Sequence, residues 1–228
     1  SEGRRALYAT GIRRVIGGTS PERGGVVVRR ATIDDVDGVA AVFGLAFDDY
    51  RRGFGVDAPA LARLWRGSFV ARVARTLVAT GPDGRVVGFA IAVMPGEEEF
   101  ATASGHREPP PFREVIGLRG LWRIPVMFLP MGFAFARRRT RPDEAYLSFL
   151  GVAPAARGRG IAGALLGVVE SGARRAGAVG ILLHTARENV SARRAYTRAG
   201  YRVVSTTRGP WRGPNGIDGY VAMLRSLA

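Results

Sequence analysis

The chain contains no cysteine, which excludes a disulfide framework, a thiolate zinc site and a cysteine nucleophile. It contains no lysine either, so all 34 basic residues are arginines, a bias read as the codon usage of a GC-rich genome. Histidine is scarce. His106 and His184 are the only two, too few for a histidine-rich metal site, and no metal is expected. No uninterrupted apolar run reaches spanning length: Leu121 to Ala136 is the most apolar stretch, and Arg123, Pro125 and Pro130 interrupt it. Ser1 to Gly25 is rich in Arg and Gly and lacks the apolar core of a signal peptide. It is expected to be a flexible arm, and the protein to be cytoplasmic.

What remains is 228 residues, 46% hydrophobic and 23% charged, enough for one domain with a real core over residues 26–228. The formal net charge of +15 favours anionic ligands such as polyphosphates. The arginines are spread along the chain, with only Arg137-Arg138-Arg139 forming a run of three, so nucleic acid is not an expected partner.

Periodicity sets the order of elements. Val26 to Arg30 is a β-branched run, and Thr32 with Asp35 three residues on starts a helix with its apolar face on Ile33, Val36, Val39, Ala40, Phe43 and Phe47. A second helix starts near Asp57, with Pro59 in its first turn. Thr76 to Thr80 and Arg85 to Met94 flank the turn Pro82-Asp83-Gly84, a hairpin. Residues 96–143 do not read as strands. They form a loop and helical insertion, with breaks or kinks expected at Pro125 and Pro130.

Tyr146 to Val152 resumes as a buried strand, then come Ala153-Pro154, a Gly-rich loop and a helix from about Ile161 to Ala176, stopped at Gly177. Ile181 to Thr185 is a strand, Ser191 caps a helix running to Ala199, and Tyr201 to Thr207 and Tyr220 to Leu224 are the last strands. The fold class is therefore mixed α/β.

A buried strand, a Gly-rich turn and a helix make a phosphate cradle. Gly158 and Gly160 let the backbone approach, and the unpaired amides at the helix start point at an anion. Gly-x-Gly alone is also compatible with a tight connection that binds nothing. Its surroundings lack the Lys-Ser/Thr of a P-loop and the full dinucleotide spacing. The run Arg157, Gly158, Arg159, Gly160, Ile161, Ala162 instead resembles the Gln/Arg-x-x-Gly-x-Gly/Ala signature of the Gcn5-related N-acetyltransferase superfamily. Leu147 to Pro154 resembles that family's strand into the loop. Asn189, Ala192, Tyr196, Gly200 and Tyr201 resemble its second half, and the likeness covers residues 26–95 and 144–225.

The resemblance implies a mostly antiparallel sheet of about six to seven strands flanked by helices. It implies an N-acetyltransferase passing the acetyl group of acetyl-CoA directly to a primary amine of a small molecule or peptide. By the same resemblance the amides of Arg159 to Ala162 bind the pyrophosphate, with Arg157 and Gly158 beside them. The backbone of Leu150, Gly151 and Val152 pairs with the pantetheine arm at a splayed strand pair, and an inward amide there serves as oxyanion donor. Asn189 contacts the pantetheine or caps the local turn. Tyr196 protonates the leaving thiolate or is a core aromatic.

For the general base, Glu144 at the strand start is the first candidate, against a plain solvated carboxylate. Glu97, Glu98, Glu99 and His106 are further candidates, and His184 reads as structural. The apolar set Trp122, Met127, Phe128, Met131, Phe133 and Phe135 is compatible with a lid over an aromatic amine, a homodimer interface, or packing on the sheet. Transfer of a longer acyl chain and a non-catalytic acyl-CoA sensor are the alternative functions.

Overall fold

Seven runs rich in β-branched and small apolar residues pair into one sheet in a computed structural model that describes residues 26–97, 111–209 and 211–227. They are β1 (Val27–Arg30), β2 (Thr76–Thr80), β3 (Val86–Val93), β4 (Glu144–Val152), β5 (Gly180–Ala186), β6 (Arg202–Arg208) and β7 (Gly219–Ser226). Their spatial order is β1-β2-β3-β4-β5-β7-β6. Every neighbouring pair is antiparallel except β4 with β5. The mixed, mostly antiparallel sheet is thus as expected. The arm over residues 1–25, Glu98, Glu99, His106 and Pro109-Pro110 lie outside the described residues.

Helices cover both faces. On one lie α1 (Val36–Ala46), α2 (Asp48–Phe54), α3 (Ala58–Arg72), α4 (Phe112–Ile116) and α5 (Arg123–Arg137). They bury Phe43, Leu61, Leu64 and Phe69 against Val78, Phe89 and Ile91 of the sheet. The other face carries α6 (Ile161–Arg175) and α7 (Val190–Arg198). Ile161, Leu165 and Val169 of α6 meet Ala90, Leu147 and Leu183 there. Alternate strand residues feed the two cores, as the pleat requires.

Local chemistry explains most boundaries. Gly84 takes φ +75° in the hairpin turn, and Asp57 caps α3 by accepting from the Ala60 N–H at 2.8 Å. Asp35 reaches back to the Thr32 N–H at 2.7 Å, although the first turn is a 3-10 helix, Ile33–Asp35, before α1. Asn189, not Ser191, caps α7: its side chain accepts from the Ala192 N–H at 3.1 Å. Neither proline ends α5, which runs unbroken from Arg123 to Arg137. Pro125 falls in its first turn, where no N–H partner exists. Pro130 forgoes one backbone bond, and burial of Met127 and Ala134 on the inner face offsets that loss.

Asp35 also takes two hydrogen bonds from Arg29, at 2.6 and 2.8 Å, tying β1 to the start of α1. The Arg29 guanidinium, helped by the Thr32 donors, holds the carboxyl at about 2, below the usual range. A depressed carboxyl stabilises the fold above the unfolded-state value and loses that contribution as pH falls from about 4 to about 2. Removing Arg29 with Arg29→Ala is expected to cost about 1.5–3 kcal/mol at neutral pH. It should also flatten that acid-range slope of the melting temperature. Parallel pH curves for the two proteins would show the pair contributes nothing.

Candidate active site

The site grows from a defect in the sheet. β4 and β5 pair only from Glu144 opposite Gly180 to Leu147 opposite Leu183. Beyond that, β4 stays with β3 as far as Val152 and β5 stays with β7 as far as Ala186, so the two strands part. A bulge at the same level places Ile91 opposite Phe149 and Ala92 opposite Leu147, leaving Ser148 as the extra residue. Tyr146 and Phe149 therefore face the α1 side, and Leu147 and Leu150 the α6 side. The edge of β4 from Ser148 onward is open to an extended amide chain, the requirement for strand addition.

The Gly-rich loop lies at the mouth of this wedge. Gly158 and Gly160 have φ of +78° and +77°, a left-handed geometry that disfavours any side chain. Gly160 is the residue before α6, whose start carries no side-chain cap and no acidic residue in its first turn. Its first amides are thus left for an anion. A Cβ built at Gly158, Gly160 or Gly163 meets nothing within 4 Å, so the loop surrounds open space. Such a cradle has the shape and the donors for a pyrophosphate. Arg157 is exposed and donates from Nε to the Val152 carbonyl at 3.3 Å, which ties the loop to the free end of β4.

One continuous cleft of about 2010 Å3 joins these parts, larger than the usual room for a single small ligand. Leu150, Gly151, Val152, Arg157, Gly158, Gly160, Ile161, Ala162, Asn189 and Tyr196 all line it. Arg159 and Glu144 do not. Tyr196 lies on α7, buried beside Tyr201 with ring centroids 5.7 Å apart. Burial raises its hydroxyl above the ordinary phenol range, so the group holds its proton at neutral pH.

Glu144 requires a correction. It is 4% exposed, and its oxygens accept from Arg138 Nη2 at 2.5 Å and the Arg141 N–H at 3.0 Å. A carboxylate committed to a guanidinium and a backbone donor, outside the cleft, clamps the end of α5 to the sheet. His184 differs in another way from a satisfied structural histidine. Nδ1 lies 3.4 Å from the Tyr146 hydroxyl, the ring sits 4.4 Å from that of Phe135, and Nε2 is buried with no hydrogen-bond partner among the described residues. Burial, with Arg138 nearby, lowers its pKa to about 4, so the ring is neutral at physiological pH.

The structure adds a carboxylate that sequence reasoning passed over. Asp49, in the first turn of α2, lines the cleft together with Tyr50 and Tyr220. Burial raises its pKa despite hydrogen bonds from the Tyr50 N–H and its own. Tyr220 across the cleft is raised too, by burial and then by the Asp49 charge. No local pattern in the sequence marks it. Asp48, next to it, pairs with Arg51 and Arg52 at helical spacing, each at 2.7 Å, and all three line the same cleft. Asp49 is the more buried of the two carboxylates.

The far end of the cleft is apolar, lined by Phe128, Met131 and Phe135 from the inner face of α5. That helix packs on β6 and β7, so of the three readings of the apolar insertion, packing on the sheet holds for its inner face.

The sequence matches the family model described as acetyltransferase (GNAT) family over residues 39–201. Among solved structures, a GCN5-related N-acetyltransferase from Kribbella flavida superposes with a TM-score of 0.57 at 20% identity, covering 90% of this chain and 100% of that one. Naa20 from Chaetomium thermophilum, in complex with a bisubstrate analogue, gives 0.52 at 16% identity, covering 87% and 85%. At these identities the likeness establishes the fold. No curated protein matches the chain in sequence. No helix among the described residues is long and apolar enough to cross a membrane. With a family model spanning most of its length and the wedge, bulge and glycine loop in place, the chain belongs to the acetyltransferase (GNAT) family.

Proposed function

We propose that the protein transfers the acetyl group of acetyl-CoA to a primary amine by direct attack. The observation that carries this is the parting of β4 from β5 beside the Gly158-Gly160 cradle, with Tyr196 in the same cleft. The cradle amides of residues 159–162 hold the pyrophosphate. The free β4 edge from Leu150 to Val152 holds the pantetheine amides, and an amide at the bulge faces the thioester oxygen. Asn189 contributes its side-chain oxygen to the α7 cap and lines the pantetheine channel.

Asp49 is the base in this reading. It takes one proton from the acceptor ammonium, the nitrogen bonds the thioester carbon, the carbon–sulfur bond breaks, and Tyr196 protonates the sulfur. The second N–H proton, shed as the amide forms, passes through solvent to restore the Tyr196 hydroxyl, and Asp49 releases its own to solvent. The depth of the cleft and the apolar inner face of α5 favour a second reading for the donor, a longer acyl group in place of acetyl. Melting shifts with acetyl-CoA against longer acyl-CoAs decide between them.

The test is CoA release from acetyl-CoA across amine classes, from polyamines to aromatic amines and peptide N-termini. Release with at least one class is expected. Binding of acetyl-CoA without release to any amine would leave a non-catalytic acyl-CoA module. Tyr196→Phe is expected to lower release by about 10–100-fold. The loss is smaller than for a typical acid because a thiolate, with its parent thiol near pKa 8.5, leaves without much help. Unchanged turnover would remove Tyr196 from the mechanism.

A further inference from the structure

A surface helix normally turns charge outward and apolar residues inward. α5 does not. Its inner face is Met127, Met131, Ala134 and Phe135, yet its outer face repeats apolar residues at helical spacing, with Trp122 just ahead of the helix and then Leu129 and Phe133, which are 56%, 48% and 56% exposed. Leu118, in the 3-10 turn before it, adds another at 66%. Trp122, Leu129 and Phe133 share one stripe by helical spacing, and all four side chains are exposed among the described residues.

The stripe is framed by cations. Residues 111–143 carry seven arginines against two carboxylates, Glu114 and Asp143. Arg113, Arg119, Arg137, Arg139 and Arg141 are exposed. None of the five has an ion-pair partner among the described residues. Arg123 lies over the Trp122 ring, 5.5 Å from its centroid, so a cation and an aromatic sit together at one end. Tryptophan, phenylalanine and leucine on one face with arginines at its margins is the composition of a helix that lies in a membrane interface.

We propose that the outer face of α5 docks on an anionic lipid surface, the apolar stripe entering the headgroup boundary and the flanking arginines meeting lipid phosphates. Charge selects this occupant over a second copy of the chain. A two-fold contact through the stripe would bring two unpaired arginine sets together on proteins that each carry +15. The opposite face of the same helix lines the cleft through Phe128 and Met131, so docking would set the apolar end of the cleft beside the membrane.

The experiment is co-sedimentation of the full chain with vesicles of phosphatidylcholine alone and of phosphatidylcholine mixed with phosphatidylglycerol. Binding to the anionic vesicles is expected to be at least about tenfold stronger and to weaken as salt is raised. The double variant Trp122→Ser/Phe133→Ser is expected to lose about tenfold or more of that binding through lost apolar burial. Arg119→Gln/Arg137→Gln, which leaves the helix packing untouched, is expected to lose a similar factor and most of the salt dependence. CoA release in vesicle-free buffer should be unchanged in both, which separates this surface from the acetyltransfer reading. Equal binding to the two vesicle types, or full binding by both variants, would overturn the proposal. So would a solution dimer that the Trp122→Ser/Phe133→Ser variant alone returns to monomer.

Discussion

Asp49→Asn is expected to lower turnover by about 10²–10⁴-fold, the usual contribution of a positioned general base, while acetyl-CoA still binds. The amide keeps the size and hydrogen-bonding capacity of the side chain, so the fold around α2 should survive. What it removes is the ability to accept the proton that an ammonium must lose before it attacks. The pH profile carries the sign. Burial lifts the Asp49 carboxyl above its ordinary value. The base is active when deprotonated, so turnover should rise with pH through that raised value and level off above it. In Asp49→Asn the acidic limb should vanish, and residual activity should follow the acceptor amine alone. An unchanged limb would place the proton acceptor elsewhere, for instance on a water between Tyr50 and Tyr220. Glu144→Gln, by contrast, should reduce stability through the lost Arg138 contact and leave the limb in place.

Gly160→Val is expected to weaken acetyl-CoA binding by about 100-fold, equivalent to roughly 2.7 kcal/mol. The residue sits at φ +77°, a conformation that costs a side-chain-bearing residue about 1–2 kcal/mol, and more for a β-branched one. The added side chain would meet no protein atom within 4 Å of its first carbon. The chain can therefore relieve the strain only by turning the loop, which moves the α6 amides away from the anion. Folding should suffer little, because the loop is exposed. Isothermal titration with acetyl-CoA and CoA reads the loss directly. Gly167→Ala is the matched control on an exposed helical position with equal room, expected to raise stability by about 0.5–1 kcal/mol and leave affinity alone. Equal affinities for wild type and Gly160→Val would mean that the anion is held by side chains such as Arg157, not by the backbone.

These two variants differ in how far the sequence pointed to them. Gly160 was legible because a left-handed turn at a helix start leaves a local mark, two glycines in three residues after a buried strand. The same holds for the Pro82-Asp83-Gly84 turn and the Asp57 cap, where the physics spans a few residues. Asn189 was legible as a motif residue with capping among its readings, but Ser191 two positions on has equal capping chemistry and only the backbone path selects between them. Asp49 was not legible as a site residue. Its burial depends on the helical backbone breaking at Phe47, between α1 and α2, where Phe43 and Phe47 stack on each other and Phe47 meets Phe149 of the sheet.

By itself the sequence determined the order of the seven strands and of most helices, the strand, glycine turn and helix around residues 157–162, and the family. Each is written in local periodicity, turn chemistry or a contiguous motif. Only the tertiary structure decided that β4 and β5 part after Leu147, that Arg138 closes over Glu144, and that α5 buries one apolar face and leaves the other exposed. Those outcomes depend on which strands find each other and on the distances at which α5 and the sheet settle. Local pattern does not encode such distances, and the competition among contacts in the folded chain resolves them.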